Sequence, residues 1–214
     1  MGLFLPSGQR QGGVYGGPPQ MGDVIPCNYI SQNLTTVGAG TLTAALIAGG
    51  VVRRTGPAGG FIDTTDTGNN IWLALGSPPA GSAYEFTYVN GVAFAMTFTP
   101  AFGVVTVGTV NVAASVIRRY LVTVECDQPQ ATVLMNTTNA SPTLQLVNLA
   151  DVKNVAVGQA VSGVGIGAAP NLITAVNAAT GAITVSVNST ANGTNIAVTA
   201  SPVISFEGLF AGTA

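Results

Sequence analysis

Three textures of apolar and polar positions follow one another along the chain. Residues 1–30 hold no period of 2 or 3.6. Gly2, Gly8, Gly12, Gly13, Gly16, Gly17 and Gly22 are interspersed with Pro6, Pro18, Pro19 and Pro26. Such a stretch reads as an extended N-terminal arm rather than a packed element. Its apolar residues Leu3, Phe4, Leu5, Val14 and Tyr15 are out of place in a solvated tail and mark the arm as one that docks. One short helix is predicted at 41–48, where Thr41 or Thr43 supplies an N-cap and Gly49-Gly50 a stop.

From about residue 61 the period becomes 2. Residues 71–75 form a short strand or a turn of helix before Gly76, and 84–89 read as a strand. Asn90-Gly91 is a two-residue hairpin signal, so the alternating run 92–99 is expected to pair back onto it. Residues 104–112, broken near Gly108, and 116–124 follow. Alternation along the last of these puts Arg118 and Arg119 on opposite faces. After Gln128-Pro129-Gln130 aromatic residues vanish until Phe206. Short strands are then predicted at 131–135, 143–147, 157–161, 173–176, 183–187 and 195–199, separated by Gly, Asn, Ser and Ala turns. The expected fold is all-β. A sandwich or barrel-like module at 31–127 is followed by a second small β module at 128–214, with 202–210 returning to the first.

Charge changes the picture. Of 214 residues, 6 are basic and 8 acidic, or 7%, against roughly 25% in an average soluble domain. No charged residue lies between Asn154 and Phe206. Charged residues are depleted at the centres of protein interfaces. Two readings follow: much of the surface faces other subunits, or the domain is coated with Thr, Asn and Ser. With six basic residues the chain is not expected to take nucleic acid as its main partner. The absence of His and the single Lys153 remove the central residue of a Ser-His-Asp triad, a Cys-His pair, a His-containing zinc site and a P-loop. No catalytic residue, cofactor or metal is therefore expected. No stretch reaches the ~20 apolar residues of a membrane span, and no secretory signal is read at the N-terminus. Cys27 and Cys126 are read as free and buried, with a disulfide between them left open.

Several motifs carry two readings each. Asp66-Thr67-Gly68 matches the aspartic-protease triplet but lacks a second copy. Its bland reading is an Asx turn in which Asp63 and Asp66 cap backbone N–H groups. Gly163-Val164-Gly165-Ile166-Gly167 imitates a phosphate loop, yet Ala168 and Pro170 break the dinucleotide pattern and a turn or bulge fits better. Arg53-Arg54 and Arg118-Arg119 either bridge to another subunit, or pair within the chain or lie on a solvated face, with Glu85, Glu125, Asp63 and Asp66 the nearest acidic candidates. Trp72, Tyr84, Phe86, Tyr88, Phe94 and Phe98 form either the first core or a carbohydrate platform.

Two segments together resemble known proteins. Gly81-Ser82-Ala83-Tyr84-Glu85-Phe86-Thr87 with Val89-Asn90, then 104–110 and Ser115-Val116-Ile117-Arg118-Arg119-Tyr120-Leu121-Val122, resemble a β domain of tailed-bacteriophage virion proteins. Residues 157–166, 173–177 and 180–186 are similar to a small β module repeated in phage structural proteins. The family's Pro-x-Gly-Thr turn is replaced here by Gly167-Ala168-Ala169-Pro170-Asn171. The resemblance covers about 60–125 and 130–200. It implies a non-enzymatic virion subunit of the capsid decoration, or cement, type. Such a subunit binds the major capsid protein on the head shell as a homo-oligomer, a trimer in the usual arrangement, assembled in the host bacterial cytoplasm. The contact residues expected for it here are Leu3, Phe4, Leu5, Val14, Tyr15, Arg53, Arg54, Arg118 and Arg119. A head-fibre or tail protein that binds a host glycan is the alternative.

Overall fold

The computed structural model describes residues 30–168 and 170–213. The arm with Leu3, Phe4, Leu5, Val14 and Tyr15, and Cys27 with it, lies outside the described residues. Strands hold 49% of the chain and helices 10%, so the fold is all-β as the alternation predicts.

The first module is wound from three two-strand rungs. Strand β1 (Ile30–Leu34) leads to β2 (Gly40–Leu42), β3 (Gly50–Arg54) to β4 (Phe61–Thr65), and β5 (Ala83–Asn90) to β6 (Met96–Thr99). The odd strands stack in one sheet, β1-β3-β5, and the even ones in another, β2-β4-β6. All of these pairings are parallel, as in a solenoid. Two short helices make the returns between rungs. Helix α1 (Ala44–Ala48) starts at Thr43, whose hydroxyl accepts from Leu46 N, and stops at Gly49. Helix α2 (Gly68–Ala74) starts in the same way at Thr67. The expected hairpin at Asn90-Gly91 does not form, because β5 and β6 lie in different sheets. Asn90 is wholly buried at the corner. Its amide donates to Phe94 O and Ala113 O, both at 2.8 Å, and its carbonyl oxygen accepts from Val92 N. The side chain thus satisfies backbone groups that a hairpin ladder would otherwise pair.

Strand β7 (Val104–Val107) ends at Gly108, whose φ of +66° takes the chain out of the ladder. Strand β8 (Val116–Cys126) lies antiparallel on β5. Strand β15 (Val203–Thr213), the last of the chain, fills the gap between β8 and β7, completing the order β1-β3-β5-β8-β15-β7. Between the two sheets lies an aromatic core. Phe86, Tyr120, Phe98 and Phe206 pack with ring centroids 5.3–6.3 Å apart. Trp72 joins it and donates its indole N–H to Pro78 O at 2.9 Å.

The second module is a six-stranded antiparallel sheet. Its members are β9 (Ala131–Thr137), β10 (Thr143–Leu146), β11 (Ala160–Gly163), β12 (Ile173–Asn177), β13 (Ala182–Val185) and β14 (Gly193–Ser201), in the order β11-β14-β9-β10-β13-β12. The sheet curls until its edges meet. Val161 N donates to Asn171 O, and Ile173 N to Gln159 O. The enclosed core is aliphatic, built from Val133, Met135, Leu144, Ile173, Ile183 and Val198 among others. Where the sheet edges meet, around Ala160 and Leu172, they are covered, which reduces the open edge that makes flat sheets sticky.

The modules meet at Cys126, Ala160 and Val203, with Phe102, Val105 and Leu172 packed around them. Close approach here needs glycine. A Cβ on Gly68 would overlap Gly103 O, and one on Gly103 (φ +77°) would stand 2.7 Å from Pro202 O.

Candidate interaction surface

Of the four arginines expected at subunit contacts, the first pair divides across β3. Arg53 faces outward and is exposed, whereas Arg54 shares the inward phase of Val52 and is 0% exposed. Arg54 is therefore corrected from a contact residue to an internal one. Its Nε donates to Asp63 Oδ1 (3.3 Å) and Oδ2 (3.1 Å). Its Nη1 donates to Leu34 O (3.2 Å) and Thr36 O (2.5 Å), and its Nη2 to Gly38 O. The Phe61 ring lies 4.9 Å from the guanidinium carbon. Those three carbonyls belong to the end of β1 and the coil leading to β2; Leu34 O also accepts from Thr55 N and Thr36 O from Gly38 N, both at 3.2 Å, so the guanidinium is a second donor to each of these two. A guanidinium carries five N–H groups in a rigid fork and meets several acceptors at once.

Asp63, equally buried on β4, balances that charge and accepts from Tyr88 Oη at 2.6 Å. Burial, with this hydrogen bond, pushes the Tyr88 phenol well above its ordinary value. Gly40 passes so close that a Cβ there would stand 2.6 Å from Asp63 Oδ1. The cluster has no opening to solvent and no unsatisfied charge, so its chemistry is structural: it ties rung to rung. The sequence signals for it are the scarcity of acidic partners, Asp63 being one of four candidates, and strand phase. Arg54 and Asp63 each sit two residues from a buried apolar neighbour on the same strand.

Arg118 and Arg119 do part to opposite faces of β8. Arg119, 48% exposed, pairs with Glu85 across the sheet. Arg118 is half-buried and donates to Thr109 O at 2.8 Å. At the surface this leaves Arg53, Arg119 and part of Arg118.

The Asp66-Thr67-Gly68 triplet joins two helix starts. Asp66 Oδ2 accepts from Ala44 N (3.0 Å), and Oδ1 from Thr67 N (2.9 Å) and Asn70 Nδ2 (2.7 Å). Burial works to raise this carboxyl, but the three hydrogen bonds outweigh it and hold the group below its ordinary value. Asp66 thus fills the expected capping role, whereas Asp63, expected to cap as well, accepts instead from the Arg54 and Tyr88 side chains. Gly163–Gly167 holds a turn closed by Ile166 N to Gly163 O, with Val164 exposed at its tip. The aromatics Trp72, Tyr84, Phe86, Tyr88 and Phe98 are core residues, and only Phe94 of that group reaches the surface. Among the described residues no group of three His, Cys, Asp or Glu is placed to hold a metal. No helix there is long and apolar enough to cross a membrane.

The outer face of the second module carries exposed apolar and uncharged polar residues. Leu134 on β9 is exposed beside Val147, whose N–H it accepts at 3.0 Å, and Ala197 on β14 is its other cross-strand neighbour. Thr132 and Thr199 continue the face with their hydroxyls 3.4 Å apart. Leu149, Val157, Val164 and Val187 are exposed elsewhere on the same module. Its turns are satisfied internally by uncharged side chains. Asn171, 1% exposed, donates to Val187 O and accepts from Val187 N, both at 3.0 Å. Asn192 and Asn136 accept from Asn139 N and Asn195 N.

No family model, curated protein or solved structure matches the chain.

Proposed function

We propose that the chain is a non-enzymatic structural subunit of a tailed-bacteriophage head, a decoration protein that binds the outside of the shell and bridges major capsid subunits. The observation that carries the reading is the uncharged exterior of the second module. Exposed Leu134, Val147, Val157 and Val164 lie among Thr, Asn and Ala, with Asp151 and Lys153 its only charges between Gln128 and Phe206. An interface of ordinary size, ~1,600 Å², takes its affinity from such surface once ordering and desolvation are offset. Repetition over a shell multiplies modest contacts. The arm adds reach, since ~3.3 Å per residue lets its 30 residues cross a neighbouring subunit. Arg53 and Arg119 remain at the surface to pair with acidic groups of a partner.

The test is co-sedimentation of the purified chain with phage heads, followed by electron microscopy of the particles. Regular density on the shell, weakened by deleting residues 1–30, is expected. A permanently monomeric chain with no affinity for immature or mature heads would overturn the reading.

A further inference from the structure

Asn-Gly occurs twice in the chain, at Asn90-Gly91 and at Asn192-Gly193. The dipeptide has a chemistry of its own. The main-chain nitrogen that follows an asparagine can attack the side-chain amide carbon and close a five-membered ring. Glycine, without a Cβ, puts the least bulk in the way of that approach. The fold decides whether each pair reacts, and the two pairs have opposite surroundings.

Asn90 is held on every side. It is 0% exposed. Its amide nitrogen, the group that would leave, donates to Phe94 O and Ala113 O, and its Oδ1 accepts from Val92 N. Gly91 N, the group that would attack, donates to Arg54 O at 2.9 Å. Ring closure there would break these bonds in a corner that water does not reach.

Asn192 is open. It is exposed in the turn that enters β14, between exposed Ala191 and half-buried Gly193. Among the described residues its side chain makes one hydrogen bond, from Asn139 N to Oδ1 at 2.8 Å. The amide nitrogen is thus left to solvent, where it can depart as ammonia. The Asn139 N–H meets the oxygen on which negative charge gathers when Cγ is attacked, so it favours the tetrahedral intermediate. The ladder of β14 on β9 is also irregular here, with the register shifting between Gly193 and Ile196.

We infer that Asn192 is a site of spontaneous deamidation, with water as the only co-reactant. Gly193 N gives its proton to hydroxide and bonds to Asn192 Cγ. The Cγ–Nδ2 bond breaks, and the nitrogen leaves as ammonia, taking its third hydrogen from water and returning the hydroxide. A second water opens the succinimide at either carbonyl, giving aspartate or isoaspartate, and no electron is transferred. The product adds one negative charge to a stretch, Gln128 to Phe206, whose charges are otherwise Asp127, Asp151 and Lys153 at or within its ends. Isoaspartate also lengthens the main chain by a methylene beside the bonds Ala140 N to Ser189 O and Ser189 N to Ser141 O, which tie this turn to the one after β9. The inference stands whether or not the protein binds a shell.

The native chain tests it, incubated at mildly alkaline pH in water enriched in oxygen-18, digested in acid with pepsin and read by mass spectrometry. The Asn192 peptide should gain one solvent oxygen, as a mixture of aspartate and isoaspartate, at least tenfold faster than the Asn90 peptide. In guanidinium chloride, with the fold gone, the two rates should come within a few-fold of each other. Equal rates in the folded chain overturn the inference, as does an Asn192 that stays intact while the unfolded chain reacts. Aspartate without isoaspartate overturns the ring closure. The variant Asn192→Gln, which keeps a side-chain amide but needs a six-membered ring, should lose the acidic species that isoelectric focusing resolves from the aged native chain. Its persistence in the variant would overturn the assignment to Asn192.

Discussion

The two modules solve one problem with different materials. In the first, parallel rungs joined by coils and short helices leave main-chain groups without ladder partners. Charge and aromatic bulk answer them, with Arg54 on three carbonyls, Asp66 on two helix starts and a ring cluster around Phe206. In the second, antiparallel neighbours and a curled sheet pair most backbone groups directly. Only turns need help, and Asn171, Asn136 and Asn192 supply it without charge. Low overall charge is thus a property of topology as well as of surface. A module whose ladder closes on itself can dispense with ions inside, and its exterior is then free to be uncharged too.

The sharpest way to break the comparison is Arg54→Met. It strands a buried carboxylate and should cost about 3–5 kcal/mol. Trp72 is the single tryptophan and lies in the first core, so its fluorescence reports that module's urea transition alone. If Arg54 served only to neutralise Asp63, the double variant Arg54→Met/Asp63→Leu would recover nearly everything. Because Gly38 O loses its guanidinium donor, Leu34 O and Thr36 O lose their second one, and Tyr88 Oη loses its acceptor, recovery should be partial. Full recovery would reduce the cluster to an ion pair.

The counterpart in the second module is Asn171→Ala. It removes the two hydrogen bonds from the Asn171 side chain to the N–H and C=O of the exposed Val187, at a cost of about 0.5–1.5 kcal/mol for each. Far-ultraviolet dichroism should register an earlier transition while the Trp72 midpoint holds. A shift of both midpoints by the same amount would mean that the junction at Cys126, Ala160 and Val203 couples the modules into one unit.

How much of this was legible beforehand follows the same division. The strands of the second module could be placed because each carries its own alternation between turn residues, as in 131–135, which became Ala131–Thr137. Helix α1 was legible because Thr43 and Gly49 are local signals. The rungs were not. Asn90-Gly91 carries the local mark of a hairpin, and only the long-range demand that β6 lie beside β4 sends the chain to the other sheet. Arg54 was misplaced for a related reason. A doublet of arginines reads as surface, and although Asp63 stood among four candidate acidic partners, nothing local to the doublet singled it out or showed that Arg54 and not Arg53 turns inward. The uncharged exterior was visible in composition, but which apolar residues face outward became clear only from the register of β9 against β14.

Asp66→Asn should act more weakly, by about 1 kcal/mol, as the loss of a helix-start acceptor does. Its pH dependence carries the sign. The folded carboxyl is held below its ordinary value, so its charge stabilises the fold above pH ~4. That contribution fades as pH falls below 4 through the folded value. Between pH 6 and pH 3 the native chain should therefore lose more stability than Asp66→Asn, as measured by the urea midpoint of Trp72 fluorescence. An equal loss would mean that other carboxylates set the acid limit of the first module.

Arg119→Ala should have the smallest effect on folding. The Arg119–Glu85 pair is solvent-exposed, and pairs of this kind contribute ~0–1 kcal/mol. Salt at about 1 M, where the screening length is ~3 Å, should remove most of that contribution. The stability of the native chain should thus move by well under 1 kcal/mol between low and high salt. Arg54, out of reach of ions, should be equally costly to replace in both. The comparison then turns on where each arginine matters. Replacing Arg54 should show in unfolding and leave the attachment of the folded fraction intact. Replacing Arg119 should leave unfolding nearly unchanged and show, if anywhere, in the salt dependence of binding to phage heads. An Arg119→Ala variant that lost as much stability as Arg54→Met would erase the distinction between an ion the topology requires and an ion left at the surface.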